Sequence, residues 1–170
     1  MKFNTTLEQF QSDLWGFHFE VPVNIAQKLI DGKNRRVICT VNNSLSYACA
    51  LMPSGMGGYF ITVNKANRKT LNLSVGDKIT VTLVRDTSKY GMPMPEELEE
   101  LLKQDAEGDK LFHQLLPGKQ RNLIHLVAKY KYSDTRLTKA LVIINYLKDC
   151  QGKLDFKELN QSFKEANSFF

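Results

Sequence analysis

Between Lys78 and Asp86 apolar and polar residues alternate, with Ile79, Val81 and Leu83 at odd positions and Thr80 and Thr82 between them. A period of two predicts a strand with one buried face. The Gly76-Asp77 pair just before it predicts the turn that starts it. Val37, Cys39 and Val41 alternate in the same way, and sliding the chain on itself by 42 positions lays these two runs on each other. The same shift matches Gly16 with Gly58, Phe17 with Tyr59, Phe19 with Ile61, Val21 with Val63 and Leu29 with Leu71. Without a gap it also lays Phe3 on Leu45 and Leu7 on Cys49. The repeat predicts two half-barrels of like design, each built as strand, strand, short helical turn, strand.

In the first half the strands are expected near 2–10, 14–21 and 35–42, with a helical turn over 22–29 that Pro22 opens as first helical residue. In the second half they are expected near 45–52, 58–64 and 77–86, around a turn over 65–71. Asn42-Asn43-Ser44 joins the halves, and both Asn tolerate positive φ. A three-residue turn there sets Cys39 beside Tyr47 and keeps odd positions facing odd ones. A turn of two residues would instead put Ser44 and Ser46 opposite buried side chains. Six short strands with a pseudo-twofold repeat predict a closed barrel, since closure removes exposed strand edges.

The pattern changes at Gly91-Met92-Pro93-Met94-Pro95, which divides a barrel domain (1–90) and a helical domain (96–170) with 91–95 as linker. Helices are expected near 96–105, 107–116, 119–131, 134–149 and 154–165. Their apolar faces are read as Leu98, Leu101 and Leu102; then Leu123, Ile124, Val127 and Tyr130; then Leu137, Leu141 and Ile144. Ser133 or Asp134 is the expected cap of the fourth helix. The last residues, Ser168-Phe169-Phe170, are expected to lie loose or against the surface.

Composition sets limits on this picture. The 170 residues, 42% hydrophobic and 24% charged, suffice for two small cores. No apolar run approaches the roughly 18 residues of a membrane span, and no signal sequence opens the chain, so a cytoplasmic protein is expected. The three cysteines, Cys39, Cys49 and Cys150, form no CxxC pair. They are read as reduced small hydrophobes, with neither a disulfide framework nor a zinc site. The net charge of +5 is unevenly spread: residues 1–90 hold 11 basic against 6 acidic residues, 91–117 hold 2 against 7, 118–153 hold 8 against 2, and 154–170 hold 2 against 3.

Catalytic signals are weak. His18, His113 and His125 have no metal-ligand spacing around them, so no metal or cofactor is expected. There is no GxSxG elbow, and Ser54-Gly55-Met56-Gly57-Gly58 lacks the Gly-Lys-Ser/Thr ending of a P-loop. Asp77 is read as the hydrogen-bond acceptor of its own turn. No catalytic residue is assigned. The stronger candidates are basic: Arg35 and Arg36 at the start of one strand, and Lys65, Arg68 and Lys69 on the crossover of the second half. In the tail they are Lys119, Arg121, Lys129 and Arg136, with Lys131 and the Tyr130 and Tyr132 rings nearby. Guanidinium groups bind phosphate as a fork and aromatic rings stack on bases, but such cations are equally the solvated or internally paired residues of ordinary helices.

The unit of strand, helical turn, Gly-Asp and strand resembles the double-split barrel of AbrB and MazE-type regulators. A second resemblance runs along nearly the whole chain. It is carried by Trp15 to Pro22, Arg35-Arg36-Val37, Pro53-x-Gly55-x-Gly57-x-Tyr59-Phe60 and Leu71-x-Leu73-x-x-Gly76-Asp77. In the tail it continues with Pro117-Gly118-Lys119-Gln120-Arg121, Ala128-Lys129, Thr135-Arg136 and Lys139. The chain thus resembles the bacteriocin-protection, YdeI/OmpD-associated family, with His125 where Trp is usual. The resemblance implies a bacterial protein with an AbrB-like barrel of unknown function followed by a small helical domain. The expected function is a non-enzymatic, monomeric binding module, its barrel and helical domain presenting a groove to a protein, peptide or small anionic ligand. The alternative is a nucleic-acid-binding regulator that uses the basic patches.

Overall fold

The structure, a computed structural model, describes residues 1–11 and 16–167. The expected start of a strand at 14, the Trp15 of the family pattern and the Ser168-Phe169-Phe170 end lie outside the described residues. The chain divides into two compact units, Met1–Gly91 and Met92–Phe170.

Among the described residues the first unit holds eight strands and two short helices, in the order β1 (Lys2–Thr6), β2 (Glu8–Gln9), β3 (Phe17–Val21), α1 (Val23–Leu29), β4 (Arg36–Val41), β5 (Leu45–Ala50), β6 (Met52–Pro53), β7 (Tyr59–Val63), α2 (Lys65–Thr70) and β8 (Lys78–Arg85). They form two four-stranded antiparallel sheets, β1-β8-β4-β5 and β2-β3-β7-β6. The six strands expected in a closed barrel are instead eight strands in two open antiparallel sheets. The strand expected over 2–10 breaks at Leu7, and that over 45–52 breaks at Leu51. Each leucine is buried, and its N–H leaves the ladder to bond outside the strands, Leu7 to the Asp77 carbonyl and Leu51 to the Arg35 carbonyl, both at 2.9 Å. The chain thereby passes from one sheet to the other, and side chains of both sheets share one core.

The repeat holds in three dimensions. Exchanging β1 with β5, β2 with β6, β3 with β7 and β4 with β8 leaves both sheet orders unchanged. Phe19 pairs directly with Ile61 and Thr40 with Thr82, each pair 42 positions apart, which places them on the pseudo-twofold axis. The gapless match fails only for the first strands. Phe3 pairs with Val81, and Tyr47 pairs with Cys39, the residue equivalent to Val81. Phe3 therefore corresponds to Tyr47, and Leu7 to Leu51, at an offset of 44. Seven residues separate Gln9, the end of β2, from Phe17, the start of β3, against five between Pro53 and Tyr59, which accounts for the difference of two. A shift of two is one strand period, so the apolar alternation matches in either register.

Local chemistry explains the elements. Val37, Cys39, Val41, Ile79, Val81 and Leu83 are all buried while Thr80 and Thr82 are half-buried, as the alternation predicts. The β4–β5 hairpin has the three-residue turn, with Val41 opposite Leu45, Cys39 opposite Tyr47, and Asn42 and Asn43 at φ of 51° and 52°. Asp77 accepts the Ser74 N–H at 2.7 Å, closing the turn in which Gly76 takes φ of 90°. Pro22 is the residue before α1 rather than its first, with φ −53° and ψ 132°.

The second unit contains α3 (Glu96–Gln104), α4 (Ala106–Gln114), α5 (Pro117–Ala128), α6 (Ser133–Asp149) and α7 (Phe156–Asn167). Helix α6 packs against the other four. Asp105 caps α4 by accepting the Gly108 N–H at 2.8 Å, and Pro117 occupies the first turn of α5, where its missing donor costs nothing. Two expectations for α6 are corrected. It has no side-chain cap, because the Ser133 hydroxyl donates to Glu97 instead. Leu137 and Leu141 are exposed at 42% and 43%, and the buried stripe is Ala140, Ile143, Ile144 and Leu147. Among the described residues no helix is long and apolar enough to cross a membrane.

Candidate functional site

A groove of about 280 Å³ opens in the first unit where β1, the β3–α1 junction and the start of β7 meet. Thr5 lines it from β1, Glu20, Val21 and Val23 from β3 and α1, and Tyr59 from β7 with Gly58 just before it. The local fold sets each of these. Val21 pairs with Tyr59 across the β3–β7 ladder, and the Thr5 hydroxyl donates to the Glu20 carbonyl at 3.2 Å, tying β1 to β3. Val21 and Tyr59 face the same side of the sheet, whereas Glu20 pairs with Phe60 on the His18 face and meets the groove through its backbone carbonyl. Its volume lies at the small end of ligand sites, room for one side chain rather than a nucleotide-sized group. A second hollow of about 210 Å³, in the helical unit, is walled by Pro93, Met94, Pro95, Ala128 and the Glu97–Arg136 pair.

The basic residues singled out in the sequence are distributed rather than assembled. Arg35 is exposed, and its carbonyl serves Leu51. Arg36 donates from Nη2 to the Gly91 carbonyl at 2.8 Å, holding residues 86–91 to the sheet. Arg68 lays its guanidinium over the Phe17 ring, 3.6 Å from the ring centre, while Lys65 and Lys69 on the same helix are exposed. The positions equivalent to Lys65, Arg68 and Lys69 in the first half are Val23, Ala26 and Gln27, so the cations are not part of the repeat.

In the helical unit the candidates mostly bind the fold together. Lys119 donates to the Leu154 carbonyl at 3.3 Å, and neighbouring Gln120 to the Leu115 carbonyl at 2.8 Å. Arg136 forms a fork on Glu97, Nε to Oε2 at 2.8 Å and Nη2 to Oε1 at 2.7 Å, and its Nη1 reaches the Lys131 carbonyl at 2.9 Å. Arg136 and the Ser133 hydroxyl hold the Glu97 carboxyl down at about 2. Lys129 is exposed, its Nζ 5.2 Å from the Tyr130 ring centre, and Arg121 is half-buried on α5. Lys139 is buried, with its Nζ 4.8 Å from the Phe163 ring centre and 5.8 Å from that of Tyr130.

Other titratable groups are shaped by packing. His18 stacks on Phe10, with ring centres 3.6 Å apart, and lies 3.6 Å from Glu8. Burial pushes it below its ordinary value, against the opposing pull of the Glu8 and Glu20 carboxylates. The hydrogen bond with Cys39 and burial push the Cys49 thiol up, and burial pushes the Tyr47 hydroxyl up, so both stay neutral in the working range. The three cysteines are free.

Sequence reasoning missed Thr5, Glu20 and Tyr59 as a group. Tyr59 stood in the Gly55-x-Gly57-x-Tyr59 motif, and the match of Phe17 with Tyr59 was the signal that could have led to it. None of the curated proteins compared with the chain matches it. Residues 3–83 match a domain of unknown function (DUF1905), and residues 92–149 match the model described as Bacteriocin-protection, YdeI or OmpD-Associated. With both of its units matched in this order, the chain belongs to the bacteriocin-protection, YdeI/OmpD-associated family.

Proposed function

We propose that this protein is a non-enzymatic binding module, in which the groove beside Tyr59 receives a side chain of a partner protein or peptide. The observation that carries the reading is the character of that opening: the Thr5 hydroxyl, Tyr59 and the apolar Val21 and Val23 around room for one side chain, with no nucleophile–base pair among its lining residues. Arg36, Arg68, Lys119 and Arg136 are already committed to carbonyls, a ring or a carboxylate, which lowers the number of cations available to phosphate. The two sheets are read as the split halves of one AbrB-like double-split barrel, a reading supported by the crossings at Leu7 and Leu51 and by the symmetric strand order. The barrel unit and the helical unit are taken as separate domains of a cytoplasmic, bacterial, monomeric protein. Fold analogy to DNA-binding barrels does not carry function with it.

The test is amide chemical-shift mapping on the full chain with peptide pools and, separately, random duplex DNA across a salt series. Shifts converging on Thr5, Val21, Gly58 and Tyr59 are expected with peptides, and DNA association is expected to vanish below 0.15 M salt. Six phosphate contacts would give log K a slope of about −5 against log salt. Micromolar DNA binding that persists near 0.15 M would replace this reading with the nucleic-acid one.

A further inference from the structure

The edge strands of the two sheets are not alike. Strands β2 and β6 are two residues long, and β6 contains Pro53, which has no N–H to offer. Strand β1 starts with Lys2, and its Thr5 hydroxyl ties it to the Glu20 carbonyl of β3 at 3.2 Å. Strand β5, outside β4, has six residues with no charge, no proline and no glycine among them. It carries none of the features that keep an edge from pairing with another chain.

The ladder fixes which backbone groups of β5 are open. Asp86 donates its N–H to the Arg36 carbonyl at 3.1 Å and Asn42 its N–H to the Thr80 carbonyl at 2.8 Å, so even-numbered residues along β4 turn their backbone toward β8. Odd-numbered ones therefore turn toward β5, and Leu51, donating to the Arg35 carbonyl at 2.9 Å, continues that set. Leu45, Tyr47 and Cys49, opposite Val41, Cys39 and Val37, use their N–H and carbonyl groups on β4. Ser46, Ala48 and Ala50 point theirs outward, and among the described residues no hydrogen bond reaches those groups. Ser46 is exposed, and Ala48 and Ala50 are half-buried.

Charge selects the occupant. Strands β4 and β5 hold no carboxylate; Arg36 opens β4 opposite Ala50, and the exposed Arg35 precedes it at the same end of the edge. Residues 1–90 hold 11 basic against 6 acidic residues, so a second copy of this edge would bring like charge to like, whereas an acidic chain is drawn in. Taking from the reading above only that the partner is a polypeptide, we propose that the β5 edge takes an extended acidic segment of a partner, which adds to the sheet as an antiparallel strand. Its backbone pairs with the N–H and carbonyl groups of Ser46, Ala48 and Ala50. Its side chains alternate: those beside Tyr47 and Cys49, on the face packed against the core, are apolar, and those beside Ser46, Ala48 and Ala50 are polar or acidic. No residue of β5 lines the groove beside Tyr59, so the two sites are distinct.

The experiment is titration of the isotope-labelled full chain at low salt, read by amide shifts and amide hydrogen exchange. The probes are an end-blocked heptapeptide alternating valine with threonine between terminal glutamates, its lysine-ended analogue, and the glutamate-ended peptide N-methylated at its threonines. In the free chain Ser46, Ala48 and Ala50 should exchange faster than Tyr47 and Cys49 of the same strand. The glutamate-ended peptide should bind with millimolar affinity and slow those three amides about tenfold at saturation. The lysine-ended peptide should bind about threefold more weakly, and the N-methylated one should not bind. Ala48→Pro removes one outward donor and no ladder bond, so the chain should fold and lose about fivefold in peptide affinity; if it does not fold, the N-methylated peptide decides alone. Equal binding of the two charged peptides, binding that survives N-methylation, or unchanged exchange at Ser46, Ala48 and Ala50 overturns the proposal. So does slow exchange there in the free chain that grows with protein concentration, which assigns the edge to a second copy. Shifts confined to Thr5, Val21, Gly58 and Tyr59 overturn the edge assignment while sustaining the groove reading. A chain silent to these peptides and to the peptide pools overturns both.

Discussion

Glu97→Gln isolates the strongest polar tie of the helical unit. Glu97 accepts three hydrogen bonds, from the Ser133 hydroxyl at 2.6 Å and from Arg136 Nε and Nη2 at 2.8 and 2.7 Å. Only 10% of its side chain is exposed, against 27% for Arg136. Its carboxyl is held at about 2, from an ordinary value of 4.5. At roughly 1.4 kcal/mol per pKa unit that shift corresponds to about 3 kcal/mol, and the exposure of Arg136 lowers the expected loss to about 2 kcal/mol at neutral pH. The amide of glutamine keeps the shape but turns an N–H₂ toward a guanidinium, so donor meets donor. Because the folded carboxyl titrates below the unfolded one, this stability is fully present above the ordinary pKa and is lost as pH falls from about 4.5 through about 2. Urea unfolding should be followed by far-UV circular dichroism, since residues 92–170 contain no tryptophan to report on the helical unit. The gap between wild type and variant should be widest near pH 7 and close toward pH 2. An equal urea midpoint at pH 7, or a gap unchanged down to pH 2, would refute the assignment of this pair as the tie.

Three further outcomes follow from burial and close contact. Leu83→Ala, at a fully buried position of β8, should cost about 2–5 kcal/mol through lost burial and a cavity, read as a lowered urea midpoint of the first unit. Gly108→Ala should destabilise by about 1–3 kcal/mol despite the better helix propensity of alanine, because the new Cβ would lie 2.6 Å from Ile144 Cγ2 and 3.2 Å from Asp105 Cγ; a raised melting temperature would contradict this. His18 lies below its ordinary value, so its stabilising neutral form is complete above about pH 6.5 and is lost as pH falls from there toward the folded value. His18→Gln should flatten the stability profile between pH 7 and 5, and a profile as steep as that of the wild type would point to another group.

What the sequence made legible follows from periodicity, and what it hid follows from the same source. Alternation located Val37, Cys39, Val41, Ile79, Val81 and Leu83 in the core, and burial of odd positions selected the turn that sets Cys39 opposite Tyr47. The breaks at Leu7 and Leu51 left no trace, because a strand that changes sheets at a buried leucine keeps its alternation intact. A two-residue slip between the first strands was equally invisible for the reason that two residues restore the same face. On α6, Leu137 and Leu141 are spaced as a buried pair would be. The helix is apolar around much of its circumference, so spacing could not select Ala140, Ile143, Ile144 and Leu147 instead. Arg136 illustrates the same limit for charge: composition shows a cation, and only the fold shows Glu97 beneath it.

The candidate groove was hidden for a different reason, since it is defined by a difference between two equivalent places rather than by a motif in either. The backbone repeats closely enough that Phe19 faces Ile61 and Thr40 faces Thr82 on the axis, so like positions in the halves meet like surroundings. Under that constraint a ring at one mouth predicts a ring at the other, and Phe17 and Tyr59 meet the prediction. The covering side chain departs from it: Arg68 on one side, Ala26 on the other, with Lys65 exchanged for Val23 on the same helix. The exchange of Arg68 for Ala26, rather than any motif in either half, is what sets these two equivalent places of the first unit apart.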